Sequence, residues 1–175
     1  MLEFLRNLTS SGPLYVRIKA NCLSVKNVST GKRFEDVPVV AVTDSGDPVV
    51  LSIGKDAERD AKKQGKGYAL KNGFDHPRTI IADFAIAEKT LMHFIREVAG
   101  SGFIKASPVI IMHPLEHLEG GLTVVEARAL QELAAGAGGR EVYVWTGREL
   151  MDQEIKSGNF PGDHWAANKP KWAKA

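Results

Sequence analysis

Two histidines and two glutamates lie close together in the second half of the chain, within the segment HPLEHLE at 113–119. Imidazole and carboxylate groups ligate zinc and act as general acids and bases in hydrolases. A small metal-dependent hydrolase using His113, Glu116 and His117 is therefore one hypothesis. Because the segment follows a predicted strand and contains Pro114, no helix fixes the two histidines one turn apart. We favour a polar loop at a strand end, and we predict no metal ligands.

The other reactive groups give little sign of a catalytic site. Cys22 lies in an apolar strand pattern without a neighbouring base, which is typical of a buried thiol rather than a nucleophile. Neither G-x-x-x-x-G-K-S/T nor G-x-G-x-x-G, the two common phosphate-loop patterns, occurs in the sequence. The glycine cluster at 136–139 follows a predicted helix and indicates the end of that helix.

Apolar residues recur with the period of strands in some segments and with the period of helices in others, which indicates the elements that would carry these groups. Leu14, Val16 and Ile18 alternate with polar residues, which predicts a strand. Further strands are predicted at 22–28, 37–42, 49–53, 108–112 and 141–145, and helices at 55–64, 81–98, 122–135 and 147–156. The first four strands read as an antiparallel meander, and strand–helix units follow. This order predicts an α/β protein with a mixed sheet and helices on its faces.

The two ends of the chain have a different character. The start reads as a short helix whose apolar face consists of Met1, Leu2, Phe4, Leu5 and Leu8. By physics alone, packing on the domain is slightly favoured over attachment to a membrane surface. The last segment contains Trp165, Trp172 and three late lysines, and we expect it to be extended or disordered alone. Its tryptophans suit a partner groove or a membrane interface.

Composition narrows the class of protein. The chain has 175 residues and a net charge of +2, which fits one domain and argues against a general nucleic-acid binder. One cysteine excludes an internal disulfide framework. No apolar run reaches the roughly 18 residues of a membrane span, and no secretory signal is visible. We therefore expect a cytoplasmic protein.

Several motifs occur in the order found in the bacterial actin MreB family. They are PVVAV at 38–42, IGKDA at 53–57, IIADFAIAEKTLMHFI at 80–95, TVVEARA at 123–129 and AAGAGGREVY at 134–143. The chain resembles that family over about 14–155. The opening MLEFLR also resembles the membrane helix that begins some MreB proteins. This resemblance favours the membrane interpretation of Met1, Leu2, Phe4, Leu5 and Leu8, at the inner face of the cell membrane.

The resemblance implies a fold and a domain division. The fold would be an actin-like (ribonuclease H-like) domain I, a mixed five-stranded sheet flanked by helices, with a small inserted subdomain. The division would be an N-terminal amphipathic helix at 1–12, domain I at 13–156 with the insertion at about 39–78, and a Trp/Lys-containing tail at 157–175.

The same resemblance exposes departures at the nucleotide site. Where the family has a phosphate loop of the form D-L/I-G-T-x-N, this chain has a degenerate one: Arg17, Lys19, Ala20 and Asn21. Arg17 cannot hold magnesium-bound water, and the Lys19 side chain obstructs close approach of the backbone. Glu126 matches the family's water-activating glutamate, and we expect it to be vestigial. The loop between Pro114 and Thr123 is longer than in MreB and takes no role from the family.

The facing half of an actin-like ATPase, with its D-x-G-G-G-T loop, has no counterpart in this sequence. We therefore expect a non-catalytic, MreB-like half-protein without cofactor, which is not an enzyme and does not bind nucleic acid. It would bind a filament or envelope component in cell-shape control. The alternatives are one half of a two-chain actin-like ATPase and the unrelated metal-dependent hydrolase.

Overall fold

The computed structural model describes residues 12–44, 49–65, 67–99 and 107–174. The predicted N-terminal helix and its apolar face, Met1, Leu2, Phe4, Leu5 and Leu8, lie outside the described residues. Within the described ranges, every helix is too short or too polar to cross a membrane.

The described residues form nine strands in two sheets. They are β1 (Leu14–Lys19), β2 (Cys22–Asn27), β3 (Arg33–Asp36), β4 (Val39–Thr43), β5 (Val50–Ile53), β6 (Tyr68–Asn72), β7 (Val109–Pro114), β8 (Glu141–Trp145) and β9 (Trp165–Ala167). The larger sheet has six strands in the order β3-β2-β1-β7-β8-β9. Strands β1, β7 and β8 are parallel neighbours, whereas the β1–β2, β2–β3 and β8–β9 pairs are antiparallel. The predicted mixed sheet is therefore present, with one strand more than the expected five.

The smaller sheet has three strands in the order β5-β4-β6. The predicted strands at 37–42 and 49–53 belong to this sheet, so the expected four-strand meander is wrong. The meander of the larger sheet is completed instead by β3, whose sequence RFED gives no apolar run. Phe34 of β3 contacts the core, while its neighbours Arg33 and Glu35 are exposed. The smaller sheet lies in the part of the chain assigned to the inserted subdomain.

Four described helices pack on these sheets: α1 (Ala57–Gln64), α2 (Phe84–Ala99), α3 (Val124–Gly136) and α4 (Asp152–Ser157). The main core lies between the larger sheet and helices α2 and α3. Its buried side chains come from both strands and helices, and they include Leu14, Ile18, Leu23, Leu91, Phe94, Ile95, Ile110 and Met112. Helix α2 buries Leu91, Phe94, Ile95 and Val98, the spacing that predicted it.

The opposite face of the larger sheet carries a second core, built from Tyr15, Ile111, Tyr143, Trp145 and Ile155. Helix α4 and the C-terminal segment cover it. The expectation of an extended or disordered tail is wrong for residues 157–174, because Phe160, Trp165 and Trp172 pack against this core. The same packing brings residues 165–167 to the edge of β8, where they add the sixth strand.

Candidate functional site

The carboxyl ends of three parallel strands meet at one edge of the larger sheet, which we call the carboxyl edge. In open α/β sheets this edge is the usual place for a ligand, because loops from several strands converge there. Here the converging segments are the β1–β2 turn at Ala20 and Asn21, the loop 115–123 after β7, and the loop 146–151 after β8. The first two contain residues that the sequence singled out, and the third contributes Glu149.

The β1–β2 turn is held by side chains from two other parts of the fold. The backbone N–H of Ala20 donates to Oε2 of Glu116 over 2.8 Å, and the carbonyl of Ala20 accepts from Nδ2 of Asn72 over 2.7 Å. Among the described non-glycine residues, positive φ occurs at His117 and Asn168, so neither Ala20 nor Asn21 has it. The turn therefore lacks the left-handed backbone that a glycine would permit in a phosphate loop.

The remaining residues of the degenerate phosphate loop lie beside this turn. Arg17 bonds Glu149 through Nη1 over 2.6 Å, and its Nη2 lies 3.3 Å from Glu35. Arg33 contacts the same Glu35 carboxylate, and this contact holds the pKa of Glu35 below its usual value. These groups line an open cavity of about 300 Å³. Its acidic and basic side chains largely neutralise one another, while Lys19 at its rim is exposed.

Cys22 lines the same cavity and is half-buried. Burial raises the pKa of its thiol, so the protonated form is favoured. This agrees with the interpretation of Cys22 as an unreactive thiol rather than a nucleophile.

The structure separates the groups proposed for a hydrolase. His113 is buried beneath the carboxyl edge, and both of its ring nitrogens are engaged: Nδ1 with the Tyr15 hydroxyl at 2.6 Å and Nε2 with the Gly147 carbonyl at 2.9 Å. Burial lowers its pKa to about 4, so the ring is neutral at physiological pH. Glu116 and His117 lie instead beside the β1–β2 turn. Across the described ranges, no three His, Cys, Asp or Glu residues are grouped as metal ligands.

Glu126 lies in the first turn of α3 and completes a capping box. Its carboxylate accepts from the N–H and the hydroxyl of Thr123, over 3.0 and 2.8 Å, and its own N–H donates to the Thr123 hydroxyl. This arrangement stabilises the start of the helix. Through this capping box the structure gives Glu126 a local role beyond the family match. Its description as vestigial stays a prediction.

Trp165 and Trp172, expected to bind a partner, are half-buried against the chain's own second core. Their rings contact Tyr143 edge to face, with centroids 6.1 and 5.3 Å away, and Nε1 of Trp172 donates to the Ile155 carbonyl. They therefore anchor the C-terminal segment. Contact with another protein through these side chains stays a prediction.

Sequence reasoning missed Glu116, Asn72 and Glu149 as partners of the β1–β2 turn and of Arg17. The chain separations are 96, 52 and 132 residues. The sequence marks Glu116 as a candidate hydrolase group with His113 and His117, not as a partner of the turn. No local pattern links any of the three to the turn.

Comparison with known proteins identifies the family. A sequence model of the MreB/Mbl protein family matches residues 23–151. Among curated relatives, "Cell shape-determining protein MreB" of Pasteurella multocida is 36% identical over 99 residues, and that of Escherichia coli strain K12 is 37% identical over 100. Each alignment covers 54% of this chain, but only 25% and 26% of those relatives.

A solved structure shares the fold. MreB5 of Spiroplasma citri, bound to ADP, matches 77% of this chain and 38% of its own with a TM-score of 0.58 at 15% identity. The fold described above is thus that of an actin-like α/β protein. The chain belongs to the MreB/Mbl family, and the resemblance seen in its motifs is confirmed.

Two expectations are corrected by this membership. The MreB family consists of actin-like ATPases, so the expectation that the chain is not an enzyme is wrong. The hypothesis of an unrelated metal-dependent hydrolase is wrong for the same reason, since residues 23–151, which include His113, Glu116 and His117, match the MreB/Mbl family.

Proposed function

We propose that this chain acts in cell-shape determination as the domain I part of an actin-like ATPase, and that it works in contact with a protein partner. The observation that carries the proposal is the convergence of three loops, from β1, β7 and β8, at the carboxyl edge. The relatives named above are cell shape-determining proteins, and MreB5 binds ADP. A nucleotide would therefore lie at this edge.

The residues present fit a nucleotide only in part. Exposed Lys19 offers a positive charge that suits phosphate groups, whereas Arg17 is paired with Glu149 and Glu35, and neither cation can ligate Mg²⁺. The Ala20 N–H, the turn's donor toward the β7 loop, already bonds Glu116. The ligands for the metal and the remaining phosphate contacts would thus come from outside the β1–β2 turn. We therefore derive no hydrolytic step from these residues.

The partner in this proposal is a second actin-like protein, from a filament or from the cell envelope. The carboxyl edge is suited to such contact because Lys19 at the end of β1 and Asn21 in the β1–β2 turn are exposed. Nucleic acid is not proposed as a partner, since the net charge of the chain is only +2.

The test is co-sedimentation of the purified chain with full-length MreB of Escherichia coli, combined with release of inorganic phosphate from ATP. We expect the chain to enter the pellet and to change the turnover of MreB in a saturable way. Asn21→Glu places a negative charge at the carboxyl edge and should abolish both effects. Thr30→Glu makes the same charge change in the exposed β2–β3 turn, at the opposite edge, and should leave them unchanged. Absence of both effects in the unmodified chain would refute the proposal.

We also propose that residues 1–12 attach the protein to the inner face of the cell membrane. The support is the spacing of Met1, Leu2, Phe4, Leu5 and Leu8 on one helical face. Flotation of the full chain with vesicles of zwitterionic and anionic lipid tests this. Leu5→Asp should remove the protein from the floated fraction, and Asn7→Asp, on the opposite helical face, should leave most of it there. Equal flotation of all three proteins would refute the attachment.

A further inference from the structure

A carboxylate of this chain already accepts a hydrogen bond from a backbone N–H of the β1–β2 turn. The Ala20 N–H donates to Oε2 of Glu116 over 2.8 Å, and the Ala20 carbonyl accepts from the Asn72 side chain. The peptide group at Ala20 is thus fixed from both sides. A hydrogen bond between a backbone N–H and an ionised carboxylate is about twice as strong as one between neutral groups.

A small cleft lies beside this bond. It is lined by the polar residues Lys19 and His117 and by the apolar residues Ile18, Phe74 and Ile80. The remaining cleft has room for about one water molecule. This cleft is too small for a phosphate group beside the Glu116 carboxylate, so an anion that accepts the Ala20 N–H has to take the carboxylate's place.

The loop after β7 holds Glu116 beside the Ala20 N–H. The N–H of Leu115 donates to the Ile18 carbonyl over 3.0 Å, which continues the β1–β7 pairing beyond Pro114. The next turn reverses the chain through His117, whose φ is 57°, and through Gly120 and Gly121, whose φ values are 83° and 82°. Glu116 therefore follows directly from the strand pairing, while the reversal after it is where the backbone can rearrange.

We propose that Glu116 is a built-in competitor for phosphate-bearing ligands at the β1–β2 turn. A phosphate oxygen accepts the Ala20 N–H only when the Glu116 carboxylate moves away. This inference rests on the proposed function, in which a nucleotide lies at the carboxyl edge. The shared chemistry is a phosphate oxygen, whether it belongs to a nucleotide or to free phosphate.

The test measures dissociation constants by calorimetry for ATP with Mg²⁺, for pyrophosphate and for inorganic phosphate. The proteins are the unmodified chain, Glu116→Ala, Glu116→Gln and Glu119→Ala. Glu119 is an exposed glutamate of the same loop and serves as the matched control. Glu116→Gln keeps the side-chain length and an acceptor oxygen but removes the charge.

We expect Glu116→Ala to bind pyrophosphate at least about tenfold more tightly than the unmodified chain, which corresponds to about 1.4 kcal/mol. Glu116→Gln should fall between the two, and Glu119→Ala should match the unmodified chain. A larger gain for ATP than for pyrophosphate would assign the site to a nucleotide, and an equal gain for ATP, pyrophosphate and inorganic phosphate would show that the phosphate group alone is recognised. Unchanged or undetectable binding in both Glu116 variants would overturn the inference.

Amide hydrogen exchange at Ala20 provides a second readout that does not depend on a partner protein. The amide should be protected in the unmodified chain, exchange faster in Glu116→Ala, and regain protection with pyrophosphate. Equal exchange in both proteins would also overturn the inference. A gain in pyrophosphate binding without any effect on MreB would leave this inference standing and refute the proposed function, while the reverse result would refute this inference alone.

Discussion

The Tyr15 hydroxyl donates to Nδ1 of His113 over 2.6 Å, across the parallel pair β1–β7. The same hydroxyl oxygen accepts the Leu150 N–H over 3.0 Å, and Nε2 of His113 donates to the Gly147 carbonyl. Two side chains buried in the sheet thus bind both ends of the loop that follows β8. This network fixes the loop 146–151, one of the three loops of the carboxyl edge, to the buried part of the larger sheet.

The neutral state of His113 predicts acid sensitivity. Burial lowers its folded-state pKa to about 4 from an ordinary value of 6.5. The unfolded chain therefore takes up a proton at higher pH than the folded chain, and the free energy of unfolding falls as the pH drops through this window, by at most about 3 kcal/mol. Urea unfolding at about pH 7, 5.5 and 4 measures it. In His113→Gln, the free energy of unfolding should decrease less between about pH 7 and about pH 4. An equal decrease in that variant would contradict the assignment of the acid sensitivity to His113.

Removal of the Tyr15 hydroxyl should destabilise the protein. Tyr15→Phe leaves the Leu150 N–H and Nδ1 of His113 without their partner, which costs about 1–3 kcal/mol for buried groups. Tyr68→Phe, at a half-buried tyrosine of β6, is the matched control and should cost less than about 0.5 kcal/mol. Urea denaturation compares the two variants. Equal costs would show that the network contributes no stability of its own.

The ion pair between Lys26 and Asp152 ties β2 to the start of α4. The Lys26 ammonium contacts both carboxylate oxygens of Asp152, at 2.8 and 2.7 Å, and both side chains are about one third exposed. We expect a coupling energy of about 0.5–1 kcal/mol, weaker at high salt. A double-mutant cycle with Lys26→Met and Asp152→Asn measures it. Strict additivity of the two single changes would contradict this expectation.

The capping box predicts how α3 responds to changes at Glu126. Glu126→Gln keeps an acceptor for the Thr123 N–H, so we expect little change in stability, whereas Thr123→Ala should cost about 1 kcal/mol. Thermal unfolding followed by circular dichroism measures both. If Glu126→Gln were as destabilising as Thr123→Ala, the charge of Glu126 would matter more than its place in the cap.

The C-terminal segment should detach when its aromatic anchor is removed. Trp172→Ala deletes the ring contact with Tyr143 and the hydrogen bond to the Ile155 carbonyl, and we expect a loss of about 2 kcal/mol. Limited proteolysis should then cleave between residues 157 and 174 at a higher rate. Lys171→Ala, at the exposed neighbouring position, should leave the cleavage rate unchanged. Equal protection of all three proteins would contradict the anchoring role.

Alternation and helical spacing predicted most of the larger sheet and its helices. The spacing of Leu91, Phe94, Ile95 and Val98 gave α2, and the motifs identified the family. Two elements, β3 and β9, are not predicted by local sequence patterns, because they form through contacts between distant parts of the chain. Strand β3 is polar and forms only because β2 offers it an edge. Strand β9 forms because the ring of Trp165 packs against the ring of Trp145, with centroids 4.9 Å apart.

The candidate site was predictable in position but not in its contacts. The β1–β2 turn could be located from the departures at Arg17 and Lys19. The bond from Ala20 to Glu116 could not, because it joins residues 96 positions apart in a loop whose course depends on His117 and the glycines after it. The burial of His113 likewise depends on tertiary packing of Tyr15 and the loop after β8.

Site-specific photo-crosslinking tests most directly whether the carboxyl edge faces a protein partner. A photoreactive residue at Asn21, in the β1–β2 turn, is compared with one at Thr30, in the β2–β3 turn at the opposite edge. Both positions are exposed. With full-length MreB of Escherichia coli as the added protein, we predict crosslinks from position 21 and none above background from position 30. Crosslinks from position 30 alone, or from neither position, would contradict the account.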